Sequence, residues 1–217
     1  GFLKKVRKLA TDNNIVLIFD ECTSGFRQTY GGLFKHYNVI PDIALFSKAM
    51  GNGYAISAIV GKKEVMECAQ NSFISSTFWT ERIGYVAALA TLKEMKRLES
   101  WKKITETGNY IIKEWKKISK NYELNVSFYG IPALPSFTFQ SKNHLAYKTY
   151  ISQEMQKQQI IASNLIYVST AHNKKIIDEY IYKLKKLFKI IKECEDGRNI
   201  NDLLDGPICH NNFKRLN

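Results

Sequence analysis

Lys48 is the first residue whose setting could do chemistry. It follows the apolar run Ile43-Ala44-Leu45-Phe46 and precedes Gly51-Asn52-Gly53. An amine at a strand terminus beside Gly-Asn-Gly turn chemistry can meet a bound carbonyl without helical neighbours crowding it. A lysine near glycines is also an ordinary surface-loop residue, so the weight falls on its companions. Asp20 is one of them. It closes the run Ile15-Val16-Leu17-Ile18-Phe19, and open α/β sheets place ligand-binding groups at the carboxyl ends of such strands. An aspartate there can keep a ring nitrogen protonated while the lysine forms a Schiff base, or it can be a helix cap or a turn residue. Ser75-Ser76-Thr77 is the other companion, a hydroxyl-rich turn ahead of Arg82. Hydroxyls and helix N-terminal amides favour phosphate, and the same residues serve as plain caps.

The elements that must hold these groups follow from apolar periodicity. Residues 1–10 carry one apolar helical face, and the uninterrupted run 15–19 suits a strand buried on both faces. Pro41-Asp42 introduces the second strand; residues 55–61 read as a third strand, 62–69 as a short helix and 82–98 as a longer, Ala-rich one. Beyond Glu99 the pattern changes to Lys-rich amphipathic helices over 101–120, 147–158 and 174–194, with short strands near 124–128, 136–139 and 165–168. The change predicts two domains, residues 1–98 and 99–217.

Composition narrows the function classes. The chain has 217 residues, 45% of them hydrophobic and 24% charged, which is globular composition with enough chain for a sizeable core. The net charge of +12 lies mainly C-terminal of Leu92, on lysines interleaved with apolar residues at helical spacing. A solvated helix face explains it; no RNA-binding repeat, zinc-finger spacing or basic region leading into heptads points to nucleic acid. Cys22, Cys68, Cys194 and Cys209 are scattered, as are the four histidines, so neither a disulfide framework nor a metal site is expected. No apolar run approaches the roughly 18 residues that span a bilayer. Free cysteines and the absence of a leader point to the cytoplasm.

Taken together, Ile18-Phe19-Asp20-Glu21-Cys22-Thr23-Ser24-Gly25-Phe26-Arg27, Pro41-Asp42, Phe46-Ser47-Lys48-Ala49-Met50-Gly51-Asn52-Gly53 and Ser76-Thr77 resemble class III pyridoxal-phosphate aminotransferases. The resemblance leans to the glutamate-1-semialdehyde aminomutase-like branch, and Gly206-Pro207 with Phe213-Lys214-Arg215-Leu216 is similar to that branch's tail. It implies an α/β, fold-type-I transferase: part of the large mixed-sheet domain, then a C-terminal α+β small domain. Gly1 already reads as helix, so the chain is expected to be the C-terminal half of a longer one, with apolar sheet edges exposed and weak cofactor binding alone.

The resemblance also implies roles. Lys48 would form the Schiff base with pyridoxal 5'-phosphate and shuttle the proton, and Asp20 would pair with the pyridinium nitrogen. Cys22, where many relatives have Val, would lie against a ring face. Thr77, with Ser76 beside it, would bind the phosphate across a subunit boundary, which implies a homodimer with shared active sites. Glu21, Arg27 and Arg82 would set the loop and interface by ion pairing or serve structure alone. The expected reaction moves an amino group between a small-molecule donor and a keto or aldehyde acceptor. The alternatives are an aminomutase and a non-catalytic half-enzyme that packs against a partner. Trp79-Thr80-Glu81-Arg82 departs from the family's small-residue turn ending in Asn-Pro, and the stretch around Gly51-Asn52-Gly53-Tyr54 lacks its proline. Both departures leave the substrate open.

Overall fold

The computed structural model of the chain describes residues 1–210. The chain divides into two compact units, Gly1–Lys103 and Ile104–Asn217.

The first unit opens with helix α1 (Phe2–Asp12) and carries a three-stranded sheet in the order β1 (Ile18–Asp20), β2 (Ile43–Phe46), β3 (Ala58–Gly61). β1 runs parallel to β2, with Ile18 opposite Ile43 and Asp20 opposite Leu45, and β3 returns antiparallel to β2. The short helices α2 (Phe34–Tyr37) and α3 (Lys63–Met66) lie in the connections, and α4 (Arg82–Leu98) follows. A small core forms where Ala44, Phe46, Met50 and Ala88 meet, with Phe26, Phe34, Ile56 and Ala58 against them.

The run 15–19 corrects one expectation. It is not buried on both faces: Ile15, Val16 and Ile18 are all about half exposed, and only residues 18–20 pair as a strand. The cause is topological. β1 has a single neighbour, β2, so its other edge is open.

Asp42 ties this unit together. Its buried carboxylate takes Arg7 Nη1 of α1 at 2.7 Å and the Leu17 backbone N–H at 2.8 Å on Oδ2, and Lys62 Nζ at 2.8 Å on Oδ1. The Lys62 N–H also donates to the Asp42 carbonyl at 2.9 Å. One side chain therefore pins α1, the approach to β1, and the paired ends of β2 and β3.

The second unit has helix α5 (Ser100–Asn121), which begins at the close of the first, then the hairpin β4 (Val126–Tyr129) and β5 (Ser136–Phe139). Helices α6 (His144–Lys157) and α7 (Lys174–Glu195) follow. Trp115, Phe137, Tyr147 and Phe188 are fully buried in an extensive core. Two of its polar groups are matched by bonds across it: Trp115 Nε1 donates to the Tyr180 hydroxyl at 3.2 Å, and Tyr147 donates to Glu195. Burial, then the Glu195 bond, push the Tyr147 phenol up to about 12. Gly108 is a close-approach glycine, since a Cβ there would lie 1.7 Å from the Pro132 carbonyl oxygen. Asn173 caps α7 by accepting from the Ile176 N–H at 3.0 Å.

The expected strand over 165–168 is reduced to one antiparallel bridge, Ser136 to Leu165. The segment does run beside β5's approach, with Phe137 N–H bonding to the Asn164 carbonyl, Ile166 N–H to Pro135 and Val168 N–H to Ala133. Pro135 has no N–H to return, which removes one of the bonds a ladder would need.

Asp42→Asn is expected to lower stability at neutral pH by about 2 kcal/mol, because Arg7 and Lys62 lose their shared anion while retaining partial contact with water. The Lys62 bond, then those of Leu17 and Arg7, hold the Asp42 carboxyl well below its ordinary 3.8. Its contribution is therefore complete above that value and drains away as the pH falls towards the depressed folded one. Urea melts should show a lower midpoint at unchanged slope, with the gap to the parent protein narrowing in acid.

Candidate active site

The parallel pairing of β1 with β2 sets their carboxyl ends level. Asp20 ends β1 opposite Leu45, and Lys48 lies three residues beyond Leu45 in the turn after β2. The two side chains are close enough for the ammonium to favour the carboxylate's charged form. Sequence spacing hides this proximity; strand register creates it.

Asp20 is exposed and folds back on its own loop, with Oδ1 accepting the Cys22 backbone N–H at 2.9 Å. That bond lowers the Asp20 carboxyl first, the Cys22 thiol adds to it, and the Lys48 charge contributes less. The same carboxylate pushes the Cys22 thiol up, so the thiol remains protonated. The site thus presents a firm anion beside an amine.

Lys48 has a φ of 30°, in the left-handed region that a non-glycine residue enters at a cost of roughly 1–2 kcal/mol. The turn enforces it: Met50 N–H donates to the Ser47 carbonyl at 2.8 Å, Asn52 N–H to the Lys48 carbonyl at 3.0 Å, and Ser47 Oγ to the Ile56 carbonyl at 3.0 Å. Lys48 Nζ then reaches Thr23 Oγ1 at 2.5 Å. Thr23 was given no role by sequence reasoning. Its hydroxyl lies within the run that carries the resemblance, but 25 residues separate it from the lysine.

Glu21 follows the last residue of β1 and points inward where Asp20 points out. It is buried, accepts from Ser24 Oγ, and takes the Phe34 N–H at 2.9 Å. The Gly25 N–H donates to its carbonyl at 2.8 Å, and its own N–H bonds to Leu45 at 2.9 Å. Gly25 fits because a Cβ there would meet Phe46 Cδ1 at 2.6 Å. Arg27 Nε donates to the Thr23 carbonyl at 2.6 Å. Glu21 and Arg27 therefore build the loop that carries Asp20, Cys22 and Thr23.

Ser76 and Thr77 stand apart. They lie on the exposed stretch 71–81 before α4, and no contact among the described residues joins them to Asp20 or Lys48. The expected tail run Phe213-Lys214-Arg215-Leu216 lies outside the described residues.

An exposed primary amine beside an anionic carboxylate suits a group bearing an aldehyde and a basic ring nitrogen, and pyridoxal phosphate is such a group. Asp20, Cys22 and Lys48 are the residues that would hold such a group here. Comparison with known proteins agrees. The family model for aminotransferase class-III matches residues 1–177, and the chain belongs to that family. The 3-aminobutyryl-CoA aminotransferase of Cloacimonas acidaminovorans is 40% identical over 149 residues, covering 68% of this chain and 36% of that protein. A glutamate-1-semialdehyde 2,1-aminomutase of Methanococcus vannielii is 34% identical over 163 residues, covering 72% and 37%.

Among solved structures, the PLP internal aldimine form of the FumI protein of Sphingopyxis sp. MTA144 superposes with a TM-score of 0.82 at 19% identity, covering 93% of this chain and 49% of that one. An omega-transaminase from Sphaerobacter thermophilus gives 0.78 at 19%, covering 87% and 47%. The fold is that of the fold-type-I pyridoxal-phosphate transaminases. The chain spans between a third and a half of the length of these relatives.

Glu21→Ala strands the Ser24 hydroxyl and the Phe34 N–H and is expected to lower stability by about 2 kcal/mol. Hydrogen exchange should report faster exchange at Gly25 and Phe34, with the α7 amides unaffected; equal loosening of both regions would contradict a local role for Glu21.

Proposed function

We propose that the chain carries the lysine-bearing part of a pyridoxal-phosphate aminotransferase site and works in a homodimer. The observation that carries this reading is the placement of Lys48 beside a firmly anionic Asp20 at the carboxyl ends of two parallel strands. Bound pyridoxal phosphate supplies an electron sink through which an amino group can leave one carbon and join another. The Lys48 amine would hold the cofactor by its aldehyde carbon and, when free, could carry a proton at Nζ. Asp20 would accept the hydrogen bond of the ring N–H and keep that nitrogen cationic. Cys22 would lie beside the ring.

Ser76 and Thr77 bind the phosphate of the neighbouring subunit's site, a role supported by their exposed hydroxyls ahead of α4. Subunit pairing is supported by the exposed Ile83, Val86 and Leu89 of the same helix. Residues 1–98 then belong to the cofactor-binding large domain and 99–217 to the small domain. The free Cys22, Cys68, Cys194 and Cys209 suit the cytoplasm.

The substrates are a small amino donor and a keto or aldehyde acceptor. The relative sharing 40% identity is an aminotransferase, which favours transfer between two molecules. The aminomutase sharing 34% supports a second reading, in which the amino group stays within one molecule. Nitrogen-15 in the donor separates them, since only transfer between molecules moves the label to a different carbon skeleton.

Borohydride reduction of the purified protein with pyridoxal phosphate, followed by peptide mass mapping, should place the pyridoxyl group on Lys48. Lys48→Ala should abolish the adduct and turnover. Asp20→Asn should keep the adduct and slow turnover by a hundredfold or more, on the order of general acid–base losses. A protein that includes upstream sequence, folds and still leaves Lys48 unlabelled would refute the reading in favour of a non-catalytic partner subunit, whereas loss of the label in the short chain alone would place part of the cofactor site upstream.

A further inference from the structure

We infer that Thr23 is the positioning residue for Lys48, holding its amine in the site whenever that amine is not covalently engaged; the inference rests on the assignment of Lys48 above. Three observations carry it. Lys48 Nζ donates to Thr23 Oγ1 at 2.5 Å, within the range of a charge-assisted bond. The two residues are anchored independently of each other. Thr23 sits on the loop fixed by Glu21 through Ser24, Gly25 and Phe34, and its carbonyl is gripped by Arg27 Nε. Lys48 is aimed from the other side by a left-handed backbone and by the Ser47 and Asn52 bonds of its turn. Finally, Thr23 is partly buried while Lys48 is exposed, so the hydroxyl is the better ordered partner.

A lysine stem has four rotatable carbons, and an exposed amine at its end sweeps a large volume. Asp20 attracts that amine through charge alone, without fixing its direction, and is itself committed to Cys22. Thr23 supplies direction. Its oxygen accepts from Nζ and holds the amine between the ends of β1 and β2, where an incoming aldehyde carbon must arrive. On capture the amine adds to that carbon and one water leaves, so Nζ swings off Thr23. On release by substrate it returns to the same oxygen and keeps its place for the proton transfer that follows.

The test is a double-mutant cycle in the full chain with pyridoxal phosphate, using Thr23→Val, which keeps the side-chain shape, and Thr23→Ser, which keeps the hydroxyl. Capture is read by rapid borohydride quenching and mass mapping of Lys48. Retention is read by equilibrium dialysis in Lys48→Ala and in Lys48→Ala with Thr23→Val. Thr23→Val should slow capture about tenfold and Thr23→Ser should stay within about twofold of the parent. Cofactor retention should be equal in the two Lys48→Ala backgrounds, because Thr23 acts through the lysine. Capture at the parental rate in Thr23→Val overturns the inference, as does weaker retention caused by Thr23→Val when Lys48 is absent. No adduct on Lys48 in the parent protein overturns the functional reading and this inference with it, whereas a parental adduct formed at an unaltered rate by Thr23→Val overturns this inference alone.

Discussion

The Asp42 carboxylate is the constraint on which the first unit depends. Three strands of three or four residues each bury little apolar area, and β1 has only one neighbour. Short strands slip register easily, and a slip of one residue turns every side chain to the other face. Asp42 prevents it by holding the Leu17 N–H one residue before β1 begins, from a position one residue before β2 begins. Ile18 is thereby set opposite Ile43, and Asp20 opposite Leu45. With Lys62 and Arg7 on the same carboxylate, β3 and α1 are fixed to that origin as well. The distance between the chemical groups at the far ends of β1 and β2 is thus decided at their near ends.

Adjacent carboxylates at the end of β1 divide the remaining work. Glu21 faces inward and meets neutral donors, a serine hydroxyl and a backbone N–H. Asp20 faces outward, where water and a lysine keep its charge inexpensive. A buried carboxylate saturated by its own loop is a fastener, while an exposed one with remaining acceptor capacity is available to a ligand. Residue type could not separate these two; their burial does.

This distinction explains how much was legible beforehand. The helix over 82–98 was readable because its alanine-rich periodicity is a local feature; the left-handed Glu99 that ends it was not foreseen. The hairpin strand 136–139 was equally local. The pairing of Asp20 with Lys48 was legible from their places at two strand ends and sharpened by the resemblance, whereas Thr23 was not assigned at all, since its contact is made across a strand crossover. Two readings went too far. The run 15–19 was read as fully buried because its composition is that of a central strand, yet burial is set by the number of neighbours. The strand over 165–168 is reduced to one bridge, and Pro135 in the facing segment, which has no N–H to give, removes one of the bonds a ladder would need.

The two units also differ in how they hold themselves together, and the difference bears on the site. The second has an aromatic core in which Phe137 meets Trp115, Phe139 and Phe188 edge to face, and the Tyr180 hydroxyl finds its partner within it. The first has a core of four buried residues and relies on hydrogen-bonded carboxylates and a strained lysine turn. Polar fastening of this kind fixes direction more strictly than it adds stability, because each bond is angle-dependent and its net contribution is only about 1 kcal/mol. Such a framework suits the site proposed above, in which an amine and a carboxylate are held in fixed directions. It also leaves Ile59, Val60, Ile83, Val86 and Leu89 uncovered, and an exposed apolar set of this kind marks a face suited to a partner surface.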